Sequence, residues 1–431
     1  MYRKTNNRKS LMAILVGVGS AILAQASVAV TYISADRLID VETGKVIESP
    51  LVTVDGNRIV SVEADVPAPE GALALAGMTL VPGLMDMHVH LTGSSDQHGY
   101  RRLAVTSERA AITGVKSARA SLKAGFTTMR NLGASGYADI ALRDAINDGD
   151  VPGPRLFVSG PAIGITGGHC DNNLLTHEYE ARGQGVADGP WAVRAKVREN
   201  FKYGADLIKM CATGGVMSRN TEPGVQQLAE EEMRAAVVEA HRRGAIVAAH
   251  AHGTEGIKAA IRAGVDSIEH ASFLDREAIR LAKKNDTVLS MDIYVTEYIL
   301  SEGEKAGIMP ESLEKERKVG GRQRESFRAA VDAGVKMVFG SDASIYPHGQ
   351  NARQFSRMVE FGMTPLQALQ AATINSARLL GQDTRLGSIR AGKLADIVAV
   401  PGNLLEDISV MERVSFVMKD GQVFRNDNRD F

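Results

Sequence analysis

Cysteine is nearly absent, with only Cys170 and Cys211 in 431 residues. A disulfide framework is not indicated, and no paired-cysteine pattern suggests a zinc finger. Charge of one sign is missing too: the net charge is −1, which favours neither nucleic acid nor a membrane surface as a partner. No Gly-x-Gly-x-x-Gly opens a helix, so nothing favours a dinucleotide fold. No apolar run reaches the roughly 20 residues needed to span a bilayer. What is present is an ordinary enzyme-like chain, 44% hydrophobic and rich in turns with 43 glycines, long enough for a sizeable core.

The first 29 residues differ in kind from the rest. Arg3, Lys4, Arg8 and Lys9 precede an apolar stretch from Leu11 to Ala24, followed by Ala24-Gln25-Ala26 and Ser27-Val28-Ala29. A basic head, a short apolar middle and small residues at alternate positions predict a secretory signal at 1–29, cleaved near Ala26 or Ala29. The stretch is too short for a membrane anchor, and no cysteine follows it to carry a lipid. A periplasmic or secreted protein is expected.

Residues 30–81 and the C-terminal 382–431 read as short strands and tight turns, such as Asp55-Gly56-Asn57 between two alternating runs. They predict one composite β domain, a small β-sandwich built from both termini. Between them, over 82–381, a helix-like stretch, a glycine and a short apolar strand recur. Glycines 125, 204, 244, 264 and 334 sit where a helix ends in a left-handed cap. Candidate strands begin near Leu84, Thr127, Arg155, Asp206, Ala245, Asp266, Thr287 and Lys336. Eight strands alternating with helices predict an α/β fold of the (β/α)8 TIM type; an open doubly wound sheet would show the same alternation.

Polar residues stand at the ends of those strands. His88 and His90 end the first; two residues apart on a strand, both imidazoles face one side, as a transition metal requires. Lys209 lies inside the apolar fourth strand. His250, His270 and Asp342 end the fifth, sixth and eighth. In a barrel all six converge on one mouth. Taken singly, each has a plain alternative: a buried histidine can be a hydrogen-bonded core residue, and Asp342 can cap a helix. Lys209 is harder to place so, since an unpaired lysine in a strand is costly. It serves as a Schiff base, a salt-bridge partner, or a carboxylate formed with carbon dioxide.

This set resembles the amidohydrolase superfamily. Gly167-Gly168-His169, Thr213-Gly214-Gly215-Val216-Met217-Ser218 and Ser267-Ile268-Glu269-His270 are similar to its imidazolonepropionase-related branch, and within it to zinc-dependent arginine carboxypeptidases. The resemblance implies two divalent ions, expected to be Zn2+. His88, His90 and Asp342 would bind one and His250 and His270 the other. Lys209, carboxylated by carbon dioxide or bicarbonate to N6-carboxylysine, would bridge them. It makes Asp342 the proton carrier, with His169 and His252 polarising the scissile carbonyl or holding the substrate carboxylate. His98, His177, His241 and His348 are expected on the surface or in loops.

The expected activity is cleavage before a C-terminal Arg or Lys of dipeptides or short peptides. Proline dipeptides, a cyclic amide or a lactone are the alternatives, since specificity lies in loops such as 171–188 and 294–320. Glu222, Asp292 and Glu297 are the carboxylates available for a cationic side chain. An exported binding protein without catalysis would have lost Lys209 or Asp342, and both are present. A homo-oligomer is left open.

Overall fold

A computed structural model describes Met1 and residues 30–427. The expected signal, Met1 apart, falls outside the described residues. Among those described, no helix is long and apolar enough to cross a membrane.

Alternating sequences form β1 (Thr31–Ile39), β2 (Val46–Glu48), β3 (Pro50–Asp55), β4 (Arg58–Ala64) and β5 (Leu73–Pro82). Asp55 pairs with Arg58 across the turn that Asp-Gly-Asn predicts.

The eight strands anticipated between 82 and 381 follow in order. They are β6 (Leu84–Val89), β7 (Phe126–Asn131), β8 (Arg155–Val158), β9 (Ile208–Cys211), β10 (Val247–Ala251), β11 (Ser267–His270), β12 (Val288–Ser290) and β13 (Met337–Val338). Both faces of β6, β7, β9, β10 and β11 are buried, so these strands read as near-continuous apolar runs. All pair in parallel, β6-β7-β8 as one sheet and β9 to β13 as another.

Two seams separate these arcs. At one, β13 is too short for a continuous ladder, and Met87 N–H donates to Phe339 O (2.8 Å) while Val89 bridges Ala343. At the other, β8 stops early, and Ile163 takes its place between Lys209 O and Cys211 N at 2.8 Å each. The arrangement is an α/β fold consistent with a TIM-type barrel, in two arcs without one closed hydrogen-bonded ring.

The last strands are β14 (Ile397–Pro401), β15 (Phe416–Lys419) and β16 (Gln422–Asn426). They join the first five in one eight-stranded sheet, ordered β16-β15-β14-β5-β1-β3-β4 with β2 beside β1. A two-sheet sandwich was expected; one sheet forms because β5 pairs with β1 on one side and β14 on the other. Ile33, Val52, Leu75, Ile397 and Phe416 are buried in its own core. Gly421 (φ 77) shows how closely the two ends meet: a Cβ there would lie 2.0 Å from Gly56 O in the first hairpin turn.

Candidate active site

The strand ends bring the expected residues together. His88 is 1% exposed, Lys209 3%, His250 3% and His270 5%, so these side chains point into the interior, away from solvent. His90 Nε2 lies 3.3 Å from Asp342 Oδ1 and His88 Nε2 lies 3.6 Å from it. Lys209 Nζ stands 3.4 Å from His88 Nε2. The ring centres of His250 and His270 are 4.6 Å apart, and His252 packs 4.7 Å from both. His169 stacks on His250 at 4.1 Å.

Two of these residues occupy a backbone region that side chains avoid: His270 at φ 71 and Asp342 at φ 53. Each such residue costs roughly 1–3 kcal/mol and persists only where its surroundings hold it. For Asp342 the holding group is Asp86, buried on β6. Its carboxylate accepts from Ser341 N (3.1 Å), from Asn351 Nδ2 (2.8 Å) and from the Ser341 hydroxyl. His88 O accepts from Asp342 N (2.8 Å).

Most of the imidazoles are tethered through a second ring nitrogen, as metal-ligating histidines usually are. His270 Nδ1 lies 2.8 Å from Asp292 Oδ1, which also accepts from Gln323 Nε2 (3.0 Å). His252 Nδ1 is 2.7 Å from Ser272 Oγ, and His169 Nδ1 is 2.7 Å from Ser218 Oγ. His88 Nδ1 faces Glu269 Oε2 at 3.2 Å.

Burial sets the charge state. It pushes His88 down to about 4, with Lys209 adding to the effect, and His169 to about 3. It holds His250 and His252 well below the usual range, where neighbouring histidines act in the same direction. His270 is raised instead, because Asp292 outweighs burial. Burial lowers Lys209 to about 8 against the pull of Glu269 and Asp342. Burial alone would raise the Asp342 carboxyl, but His88 and His90 outweigh it and lower it.

These residues fit divalent cations. Neutral imidazoles offer lone pairs, and the donor atoms of His88, His90 and Asp342 lie within 4.8 Å of one another. The same holds for His250, His252 and His270, and for His270, Asp292 and Asp342. His252, expected to contact substrate, thus also stands in a group of possible ligands.

Several expectations need correction. His98 and His348 lie in loops as expected but not at the surface: His98 is buried, its Nε2 3.1 Å from Ile345 O, and His348 is half-buried with Nε2 3.3 Å from His90 O. His177 and His241 are exposed as expected. Cys170 and Cys211 form a disulfide that ties the His169 loop to β9. Most of 294–320 is helical, in Val295–Ala306 and Pro310–Asp332. From the second helix Lys315 donates to Ser218 O (2.7 Å) and Gln323 reaches Asp292. Glu297 pairs with Arg324 and Arg357, Asp292 serves His270, and only Glu222 is left, exposed.

The chain is similar to several known proteins. The ochratoxinase of Aspergillus niger is 34% identical over 425 residues, covering 92% of this chain and 87% of the relative. The crystal structure of a Xaa-Pro dipeptidase with bound methionine in the active site superposes with a TM-score of 0.86 at 40% identity, over 92% of this chain and 100% of that one. A prolidase complexed with N-methylphosphonate-L-proline gives 0.83 at 33% identity, over 92% and 100%. Fold, site and relatives together define a hydrolase acting on C–N bonds. More particularly, the chain belongs to the Amidohydrolase family, which it matches over residues 79–424.

Proposed function

We propose that this protein is a binuclear zinc dipeptidase that releases the C-terminal residue of short peptides, with an uncharged residue such as proline preferred at that end. The observation that carries it is the meeting of His88, His90, Lys209, His250, His270 and Asp342 at the strand ends, with Lys209 Nζ 3.4 Å from His88 Nε2. His88, His90 and Asp342 would hold one ion, His250 and His270 the other, and Lys209 both. Two divalent ions held there would supply a hydroxide near neutral pH and polarise a carbonyl.

The chain's own residues do the rest. Lys209, largely stripped of water, is pushed toward the neutral amine. That amine adds carbon dioxide, forming an N–C bond and releasing a proton, and becomes an anion. Asp342 Oδ1 accepts the proton of the attacking water and returns it to the leaving amine nitrogen. His169 and His252, fixed by Ser218 and Ser272, hold the substrate carbonyl. Arg102 is exposed as a residue, and burial lowers the pKa of its guanidinium. Its charge reaches His169, it has no side-chain partner among the described residues, and it receives the substrate's terminal carboxylate.

A preference for C-terminal Arg or Lys would need a free carboxylate deep in the site. Asp292 and Glu297 are engaged, which favours the uncharged residue. The relatives named as dipeptidase and prolidase support the same choice. The barrel at 82–381, the composite β unit at 30–81 with 382–431, and export through 1–29 belong to this proposal; a disulfide suits an oxidising compartment.

The test is amino-acid release from Ala-Pro and Ala-Arg by protein loaded with zinc and bicarbonate. Proline should be released faster, and Arg102→Met should raise KM for Ala-Pro. Faster release of arginine restores the basic-residue preference, and no release from either dipeptide sinks the proposal.

A further inference from the structure

Arg130 has no solvent exposure, although it lies on a strand that places no other full charge in the interior. Its guanidinium crosses between strands. Nε donates to Met87 O of β6 (2.6 Å), Nη1 to Ser267 Oγ (3.0 Å) and Nη2 to Glu269 Oε1 (2.7 Å), both of the last two on β11. Ser267 Oγ also donates to Glu269 Oε1 (2.6 Å). One carboxylate oxygen is thereby saturated and the rotamer of Glu269 is fixed. The other oxygen, Oε2, is left facing His88 Nδ1 at 3.2 Å.

Neither Oε2 nor His88 Nδ1 has a well-angled hydrogen-bond partner, and both are fully buried. Two such atoms at this distance, one a carboxylate oxygen, leave little choice about where the imidazole proton sits. The opposite ring nitrogen gives the same answer. His88 Nε2 lies 3.4 Å from Lys209 Nζ, which in its ammonium form can only donate, so opposite that form Nε2 presents a lone pair. A neutral imidazole carries one proton; here it belongs on Nδ1.

We infer that Glu269, held by Arg130, is a positioning residue that fixes the Nδ1–H tautomer of His88 and aims its Nε2 lone pair at the metal position. The inference rests on the reading of His88 as a ligand. Arg130 contributes in two ways: its charge balances a carboxylate that would otherwise be buried alone, and its planar fork sets the angle of that carboxylate. Lysine, a point charge on a flexible stem, supplies the first and not the second.

The experiment is 15N NMR of the metal-free protein labelled at histidine, with His88 assigned from a His88→Gln variant. The proton is expected on Nδ1 in wild type and on Nε2 in Glu269→Gln, whose amide group donates to Nδ1. Zinc retention against a competing chelator should fall by ~10–100-fold in Glu269→Gln and largely recover in Glu269→Asp, which restores the charge. Arg130→Lys should share the zinc loss.

A wild-type His88 protonated on Nε2 overturns the inference whatever the Glu269 and Arg130 variants do. So does wild-type zinc retention in Glu269→Gln. A merely structural strut would lower thermal stability while leaving tautomer and zinc retention unchanged, and that result overturns it as well. The tautomer is read without metal or substrate, so failure of the dipeptidase assay leaves this result standing by itself.

Discussion

Glu316 lies in the helix Pro310–Asp332 and is 3% exposed, with the Thr296 hydroxyl donating to its Oε1 at 2.6 Å. Burial raises its carboxyl from 4.5 to about 7, and Asp292 adds to the rise against the Thr296 bond. The sign of the resulting pH dependence is fixed. Below 4.5 the carboxyl is protonated in both folded and unfolded chains, and nothing is lost. Between 4.5 and about 7 the unfolded chain ionises while the folded one holds its proton, so stability falls as pH rises. Above that the loss is complete. A gap of roughly 2.5 pKa units at about 1.4 kcal/mol each amounts to about 3 kcal/mol.

Glu316→Gln keeps the shape and the carbonyl that accepts from Thr296, and it cannot ionise. Thermal midpoints of metal-free wild type and variant, followed from about pH 4 to about pH 8, isolate the effect, because every other group titrates in both. The variant should match wild type at the acid end and exceed it by roughly 4 °C at the basic end, the shift expected for about 3 kcal/mol in a chain of this size. Parallel profiles across the whole range would refute the assignment.

Other expectations concern the site. Lys209→Arg keeps a permanent charge that cannot take up carbon dioxide; metal analysis of the purified variant should show loss of bound zinc together with activity, and two retained ions would end the carbamate reading. Gly215→Ala would place a Cβ 2.2 Å from His169 Nδ1. Stacked on His250 and bonded to Ser218, that ring cannot yield freely. Turnover should drop about 10²-fold with zinc content unchanged, as a small misplacement near the chemistry does; unaltered turnover would remove His169 from the mechanism.

The proposed ligands were legible because strand periodicity alone places them. His88 and His90 share a face whatever surrounds them, and an apolar run ending in histidine or aspartate recurs along the chain. The supporting groups were not, since their partners are distant in sequence: Arg130 and Glu269 are 139 residues apart and Asp86 and Asn351 265. One signal was available. The logic that singled out Lys209, a full charge inside an apolar strand, applies equally to Asp86, Arg130 and Glu269. Asp292 was noticed for the wrong task, because nothing local shows that its carboxylate turns toward His270. Helices Val295–Ala306 and Pro310–Asp332 take the place of most of the loop expected at 294–320, and neither begins at an N-cap with a side-chain hydrogen bond that would have marked its start.

The sheet shared by both ends also imposes an order in time. Pro82 pairs with Ile397, and Leu80 with Ala399, so β5 waits with one open edge while the whole hydrolase unit is synthesised. Only when the last few dozen residues arrive does that edge find its partner. The final strands therefore act as a completion check on the polypeptide: a chain truncated after the barrel carries every proposed metal ligand and still presents a bare, adhesive strand to its neighbours.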